Sequence, residues 1–549
     1  MAQIDLICLT TGVPGFTWDL GWLVTAHPEP ALLARAVEQL RADSKADAVL
    51  FWDAALGTPD ASLMQRLLSG PGDCWHNGLL QGMGGLPGIL DFISPTWMLS
   101  ADPPADREGT SWRLSLRACL VRMPVLRQLG GPQAGFITLA GAALELGHRW
   151  ISRGAILRHV PGFAPVQPAP PPALLFEDEL RLAYYRHGRK WARWALWRAK
   201  QTGRVSRGEA ALVAQKVFKL PVPAQPRPLG HQVPADAPFD RVAQVTILIP
   251  TVDRYSYLRT LFAQLRLQTV PPLEIIVVDQ TAPDRRDRTL ASEFADLPLK
   301  WMVQDDPGQC TSRNAGLLAA RGDYVLFIDD DDEVTPNLIE LHLQALAWFG
   351  AEVSCGVAEE VGAGALPPEF QLCRVSDVFP TNNSLIRREV LRRSGLFDLA
   401  YNRMPRADGD LGMRLYLAGA LMILSPGISV LHHHAPAGGL RKHKARTITY
   451  AMSRTHIGCR ALTHASELYL AGRYFPESHQ TETMWQSALG TFSIRGGWAK
   501  KIAKVLVSGL MLPATLRTLR ARVATARAMR TQFPQIPALP STPGPDAAN

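Results

Sequence analysis

Val325-Leu326-Phe327-Ile328-Asp329-Asp330-Asp331-Asp332 decides the fold. An unbroken apolar run feeds into four adjacent carboxylates. Side by side, such charges repel and raise one another's pKa, and a cation among them removes that cost. Tyr324–Ile328 reads as a strand buried on both faces. The carboxylates then stand at its C-terminal end, where open α/β sheets bind their ligands. Oxygen donors suit a hard ion, Mg²⁺ or Mn²⁺, that keeps positions open for phosphates. The plainer reading is a solvated acidic turn ahead of a helix near Thr335-Pro336.

The neighbouring segments supply the sheet. Val245–Pro250 and Leu273–Asp279 read as strands, and Tyr257–Leu267 and Thr311–Arg321 as helices. This β-α-β-α-β order predicts a parallel sheet with crossover helices. Further on, Gly409–Ala418 reads as a helix, and Leu421–Leu424 and Ile428–His432 as strands. His432-His433-His434 ends the last of these, and alternation puts His432 and His434 on one face.

Several of these segments, in order, resemble a family 2 glycosyltransferase of the GT-A fold. The resemblance runs from Val245 to about His434. It is carried by Val245–Thr251, Ile275–Asp279, Ser312-Arg313-Asn314-Ala315-Gly316, Asp329-Asp330-Asp331, Ser384–Arg388, Gly395-Leu396-Phe397-Asp398 and Asp408-Gly409-Asp410-Leu411. It implies transfer of a sugar from a nucleotide-diphosphate donor to an acceptor hydroxyl, with inversion and a divalent metal. Pro250, Thr251, Arg254, Asp279, Arg313, Asn314, Asp329 and Asp330 would hold the donor. Asp331 and Asp329, with His432 (or His434 in its place), would hold Mg²⁺ or Mn²⁺. Asp408 would be the base, and Asn383 and Asp410 would face the acceptor. Ala407 stands where the family has glutamate, a departure. Asp408 precedes a helix, whose N-terminal dipole favours its charge; Asp410 is expected to cap that helix. The basic run Arg441, Lys442, His443, Lys444 after Gly438-Gly439 would suit a closing loop or an ordinary solvated one.

The chain has 549 residues and a net charge of +9. That is room for about three domains and a preference for acidic partners. The seven cysteines form no CxxC pair, which suits reduced thiols in a cytosol. Met1–Thr11 lacks a basic leader region, and no apolar run approaches the roughly 18 residues of a spanning helix.

The first 163 residues read as a worn copy of the central domain. Ile4–Leu9 and Ala48–Trp52 read as strands, and Pro30–Ala42, Ser115–Gly131 and Ala142–Gly154 as helices. Val49–Asp60 parallels Val325–Asn337. Leu146-Gly147-His148-Arg149 parallels Leu411-Gly412-Met413-Arg414, and a constant spacing of 265 residues also joins Gly154 to Gly419 and Pro161 to Pro426. In this register Ala143 replaces Asp408 and Glu145 replaces Asp410. The expectation is therefore α/β: a catalytic GT-A domain at 241–446, a degenerate GT-A-like domain at 1–163, and a helical basic extension at 447–533. A basic aromatic helix between Pro-rich linkers fills 164–240, and 534–549 is a disordered tail.

Other classes compete. A nucleotidyltransferase would place a glycine-rich loop after the first strand, but Thr251-Val252-Asp253-Arg254 follows here. The basic, aromatic stretch Tyr184–Lys200 would suit single-stranded nucleic acid, a membrane interface, or packing between domains; the last two are favoured and no nucleic-acid partner is expected. Between Glu482 and Asp546 there is no acidic residue, while nine basic ones alternate with apolar residues. This predicts a cytoplasmic protein held on the inner face of a membrane by anionic lipid, with a saccharide or lipid-linked acceptor.

Overall fold

The computed structural model describes residues 1–165, 172–435 and 456–540. The proposed closing loop at 441–444 lies outside the described residues, as do part of the first linker and the end of the tail.

The N-terminal domain has strands β1 (Ile4–Leu9), β2 (Leu23–Ala26), β3 (Ala48–Asp53), β4 (Cys74–His76), β5 (Gly109–Thr110), β6 (Ala118–Arg122) and β7 (Leu157–His159). Its helices are α1 (Pro30–Asp43), α2 (Ala61–Ser69), α3 (Met123–Leu129) and α4 (Leu139–Ser152). Helices α5 (Phe176–Gln201) and α6 (Arg207–Val217) follow. The central domain has β8 (Val245–Thr251), β9 (Glu274–Asp279), β10 (Leu299–Val303), β11 (Tyr324–Phe327), β12 (Asp332–Glu333), β13 (Val353–Glu360), β14 (Arg374–Val375), β15 (Ser384–Arg387) and β16 (Met422–His432). Its helices are α7 (Tyr255–Leu265), α8 (Leu290–Glu293), α9 (Gln309–Ala319), α10 (Leu338–Phe349), α11 (Val390–Ser394) and α12 (Ala407–Leu417). Four helices close the chain: α13 (Ala465–Tyr474), α14 (Glu477–Gly490), α15 (Trp498–Leu510) and α16 (Leu512–Gln532).

The two sheets share one plan. The first runs β2-β1-β3-β6-β4-β7-β5; the second runs β10-β9-β8-β11-β15-β13-β16-β12, with β14 also on β16. Remove β10 and β12 and the orders coincide, strand for strand and in chain order. Directions coincide too: β6 and β15 each run antiparallel to both neighbours, while β4–β7 and β13–β16 are parallel. So does register. Leu50 faces Leu120 as Leu326 faces Leu385; Cys74 faces Leu157 as Val353 faces Met422; Gly109 faces His159 as Arg374 faces Leu424.

The domains also meet reciprocally. Gly154 holds φ +93°, and a Cβ there would stand 3.0 Å from the Cys373 carbonyl oxygen. Gly419 holds φ +85°, and a Cβ there would stand 2.3 Å from the Glu108 carbonyl oxygen. Both glycine and carbonyl are related by the same spacing, so the contact is made twice, as across a two-fold axis. At both glycines the left-handed backbone and the close approach exclude a side chain.

Three expectations change. Ser115–Gly131 is not one helix but β6 followed by α3. Ala118–Val121 is a short, wholly buried apolar run, and Pro124 suits only a first helical turn. Met422–His432 is one strand rather than two, because β13 follows it on both sides of a register shift between Cys355 and Val357. Within 164–240 the expected helix is α5, but a second helix, α6, stands where only linker is expected. Asp178 of α5 accepts from Ile137 N, Thr138 N and Thr138 Oγ1 at the start of α4, at 2.9, 2.8 and 2.7 Å. Trp194 Nε1 donates to Phe92 O at 2.7 Å, and Arg198 grips Glu482 of α14 at 2.8 and 2.6 Å. Helix α5 thus lies between the N-terminal domain and the C-terminal helices, with Trp191 and Trp197 left exposed.

Candidate functional site

The four carboxylates stand at the C-terminal end of β11, and all are partnered. Thr251, at the end of β8, donates its hydroxyl to Asp330 at 2.8 Å. Arg254, just before α7, reaches Asp330 at 2.6 Å and Asp331 at 2.9 Å. Arg313 of α9 reaches Asp329 at 3.0 Å and Thr381 Oγ1 at 3.3 Å. Asp332 pairs with His432 at 2.8 Å across the β12–β16 ladder, and its second oxygen accepts the Asp329 N–H at 2.9 Å. Burial raises the Asp330 carboxyl to about 6 against the opposing pull of Arg254. Burial also works against a charged His432, but the bond to Asp332 and the charges of Asp329 and Asp331 outweigh it, so His432 is held protonated more readily than a free imidazole.

The histidines form a short ladder of their own. His433 bonds Glu333 at 2.5 Å and His434 bonds Glu360 at 2.9 Å. The rings of His432 and His434 stand 4.4 Å apart, on one side as alternation requires. Among the described residues no group of three or more His, Cys, Asp or Glu side chains is set to hold a metal ion. Two donors do face one another: Asp331 Oδ1 and His432 Nδ1 are 3.8 Å apart. That nitrogen already holds Asp332 Oδ1 at 2.8 Å, so Asp331 fits such an ion as it stands, while His432 would join it only on losing its proton and its bond to Asp332. Arg254 and the charged imidazole now supply the positive charge the cluster requires. Asp329, held by Arg313, is not part of that pair.

The remaining predicted residues divide. Asp279, at the end of β9, is almost fully buried, accepting from Tyr255 Oη at 2.8 Å and Thr281 N at 2.9 Å. Pro250 is half-buried at the end of β8. Asn314 is a clamp rather than a donor ligand: its amide exchanges two hydrogen bonds with the Phe397 backbone, each 2.8 Å. Asn383 does not face an acceptor. It is fully buried, bonding His342 Nε2 at 2.9 Å, Val357 O at 2.9 Å and Ile428 O at 3.1 Å. Asp410 neither caps α12 nor meets solvent. The residue before the helix is Arg406, with no side-chain cap, and Asp410 is fully buried between Arg414 at 2.8 Å and Tyr474 Oη at 2.7 Å.

Asp408 is different. It lies in the first turn of α12, exposed, accepting only the N–H of Gly409 at 2.8 Å among the described hydrogen bonds. The approach to it is built in steps. Asn402 accepts from Cys310 N and Thr311 N, 3.0 Å each, so it caps α9 from a distance in sequence. Gln309 donates to the Tyr401 carbonyl at 2.8 Å and also to that of Met404. The loop before Asp408 is therefore tied to the helix whose Arg313 holds Asp329. Arg406 carries φ +84°, a strained value for arginine, and reaches Glu467 of α13 at 2.8 Å. With Tyr474 on Asp410 and Tyr469 on Asp398 at 2.7 Å, α13 braces this whole edge. Sequence reasoning missed that brace, and missed Asp332 and Tyr255 as site partners; Asp332 was visible as the fourth carboxylate of the run.

Residues 246–395 match the family described as Glycosyl transferase family 2. EpsH of Bacillus subtilis (strain 168), which carries a glycosyltransferase name, is 33% identical over 118 residues, 21% of this chain and 34% of the relative. The uncharacterized glycosyltransferase EpsJ of the same organism is 32% identical over 136 residues, 24% of this chain and 39% of the relative. The chain thus spans about a third of the length of these curated relatives. Among solved structures, Staphylococcus aureus TarS 1–349 aligns with a TM-score of 0.34 and 17% identity, over 53% of this chain and 91% of that one. The mannosyltransferase PcManGT of Pyrobaculum calidifontis, in complex with GDP-Man and Mn²⁺, aligns with a TM-score of 0.33 and 17% identity, over 64% and 84%. The family match falls within the central domain, on the run from β8 to α11 that carries the carboxylate cluster.

Proposed function

We propose that the chain transfers a sugar from a nucleotide-diphosphate donor to an acceptor hydroxyl, with inversion, in polysaccharide or glycolipid synthesis. The observation that carries this reading is a carboxylate cluster held by Arg254 and Arg313 together with an exposed carboxylate, Asp408, on a loop tied to the same helix α9 that carries Arg313. Thr251, Arg254 and Arg313 meet the cluster at the ends of β8 and β11, where a diphosphate would approach. A diphosphate there gives both guanidiniums a second anionic partner and holds the donor in place. Asp408, in the first turn of α12, accepts the proton of the acceptor hydroxyl. The hydroxyl oxygen then bonds to the anomeric carbon as the bond from that carbon to the diphosphate oxygen breaks, and the diphosphate leaves with the electron pair. Asp331 would hold a divalent ion, joined by His432 once that imidazole gives up its proton and its bond to Asp332, and the ion when bound would offset the charge of the diphosphate.

Incubating the protein with a panel of nucleotide-sugars, with Mg²⁺, with Mn²⁺ or with EDTA, tests this. Turnover of one donor, lost in D331N while its circular dichroism stays native, is expected. Full turnover in EDTA would remove the metal from the reading, and no turnover of any donor would remove the reading itself.

A further inference from the structure

Helix α15 is built inside out. Its inward face carries Lys504 and Ser508, both buried. Lys504 Nζ donates to the carbonyls of His456, Ile457 and Cys459 at 3.1, 3.0 and 2.7 Å, and Ser508 Oγ to Thr491 O at 2.8 Å. Its outward face carries Trp498, Ile502, Val505, Leu506 and Leu510, exposed by 76, 52, 49, 63 and 84%. Their spacing sets all five on one stripe of the helix. A surface helix ordinarily does the reverse, and a contiguous apolar patch of this kind marks a surface that meets something apolar.

Charge says what that is. Arg495, Lys500 and Lys501 are exposed beside the stripe, and Arg517 and Arg520 are exposed on the adjoining α16. No acidic residue lies between Glu482 and Asp546. The structure also trims the basic set. Lys504 is spent on carbonyls, Arg522 donates to Leu462 O and Thr463 O at 2.7 Å each, and Arg527 pairs with Glu477 at 3.0 Å. Two copies of the chain joined through this face would set like charges opposite one another. An anionic surface neutralises them.

We propose that α15 lies in the plane of an anionic bilayer surface, its apolar stripe sunk to the boundary between headgroups and chains. Trp498 sits at the first turn, where an indole suits that boundary. The helix rests on the membrane rather than crossing it: no single described helix is long and apolar enough to span, and α15 and α16 meet at a 60° bend.

Flotation of the full chain with vesicles of phosphatidylcholine alone, or with phosphatidylglycerol added, tests this. The protein should float with the anionic vesicles and not with the neutral ones. L506E/L510E should lower binding at least tenfold, and R495Q/K500Q/K501Q about fivefold for each cation removed. These side chains are exposed, so thermal melts should be unchanged, which separates lost binding from lost fold. No flotation of the unaltered chain, equal flotation of the variants, or equal binding to neutral vesicles would each overturn the proposal. Light scattering that shows a dimer which L506E/L510E converts to monomer, without flotation, would assign the face to a second copy instead.

Discussion

The N-terminal and central domains share a sheet, a register and one buried ion pair, and differ in their chemistry. In the central domain Arg414 pairs with Asp410 four residues earlier and donates to the carbonyl of Ser394. In the N-terminal domain Arg149 pairs with Glu145 and donates to the carbonyl of Leu129. Every one of these positions is displaced by the same spacing. The carboxylate cluster has no such echo. Asp53, at the place of Asp329, is held by Arg117 at 2.7 Å, and Ala143 takes the place of Asp408. What the two domains retain in common is what the fold requires; what only one retains is what the proposed reaction would use.

The comparison breaks first at Asp408. D408N keeps size and helix position but cannot take a proton, and should lower transfer by about 10²–10⁴ with donor binding preserved. Steady-state rates beside donor titration check this, and a greater loss in a transfer-competent D410N would mean the two carboxylates are assigned backwards. The shared ion pair sharpens the comparison next. D410N and E145Q each strand a buried arginine and should each cost about 3–5 kcal/mol in urea unfolding. A large cost in one domain only would show that the shared pair is not doing the same work in both.

Each domain also buries a neutral histidine. Burial pushes His342 down to about 4 and His76 down to about 3. The unfolded chain binds a proton below about 6.5 while folded His342 does not, so its contribution is complete above that pH and is lost as pH falls towards 4. Between pH 7 and 4.5 the loss from His342 alone should be about 2–3 kcal/mol. Unfolding of H342Q at the two pH values, set against the unaltered chain, should show a shallower fall. The smallest effect is expected at Asp53. D53N breaks a half-exposed pair with Arg117, should cost less than about 1 kcal/mol, and should leave calorimetry reporting one nucleotide site per chain. Two sites would mean the N-terminal cleft still binds.

The strands around the cluster were legible because they are continuous apolar runs ending in charge, a pattern little else produces. The repeat was legible because its spacing never slips through the second half of each domain. The roles of Asn314, Asn383 and Asp410 were not. Each sits in a motif beside reactive positions, yet its partner is remote: Phe397 for Asn314, His342 for Asn383, Tyr474 for Asp410. A polar residue bound for the interior looks the same in sequence as one bound for a ligand until its distant partner is known. The α13 brace was hidden for the same reason: Tyr469 and Tyr474 carry no local pattern, and Glu467 reads only as the third residue of a helix start.

The reciprocal contact of Gly154 and Gly419 also bears on synthesis. The N-terminal domain leaves the ribosome first and can close its sheet without the rest of the chain. Until residues near Cys373 and Gly419 follow, the face around Glu108 and Gly154 waits uncovered. That face is half of a self-matching pair, so the nascent chains of one polysome, crowded together, present the same half-interface to their neighbours. Correct assembly is then a race between translation of the second domain and encounter with another chain, and slowing the ribosome between the two domains favours the wrong winner.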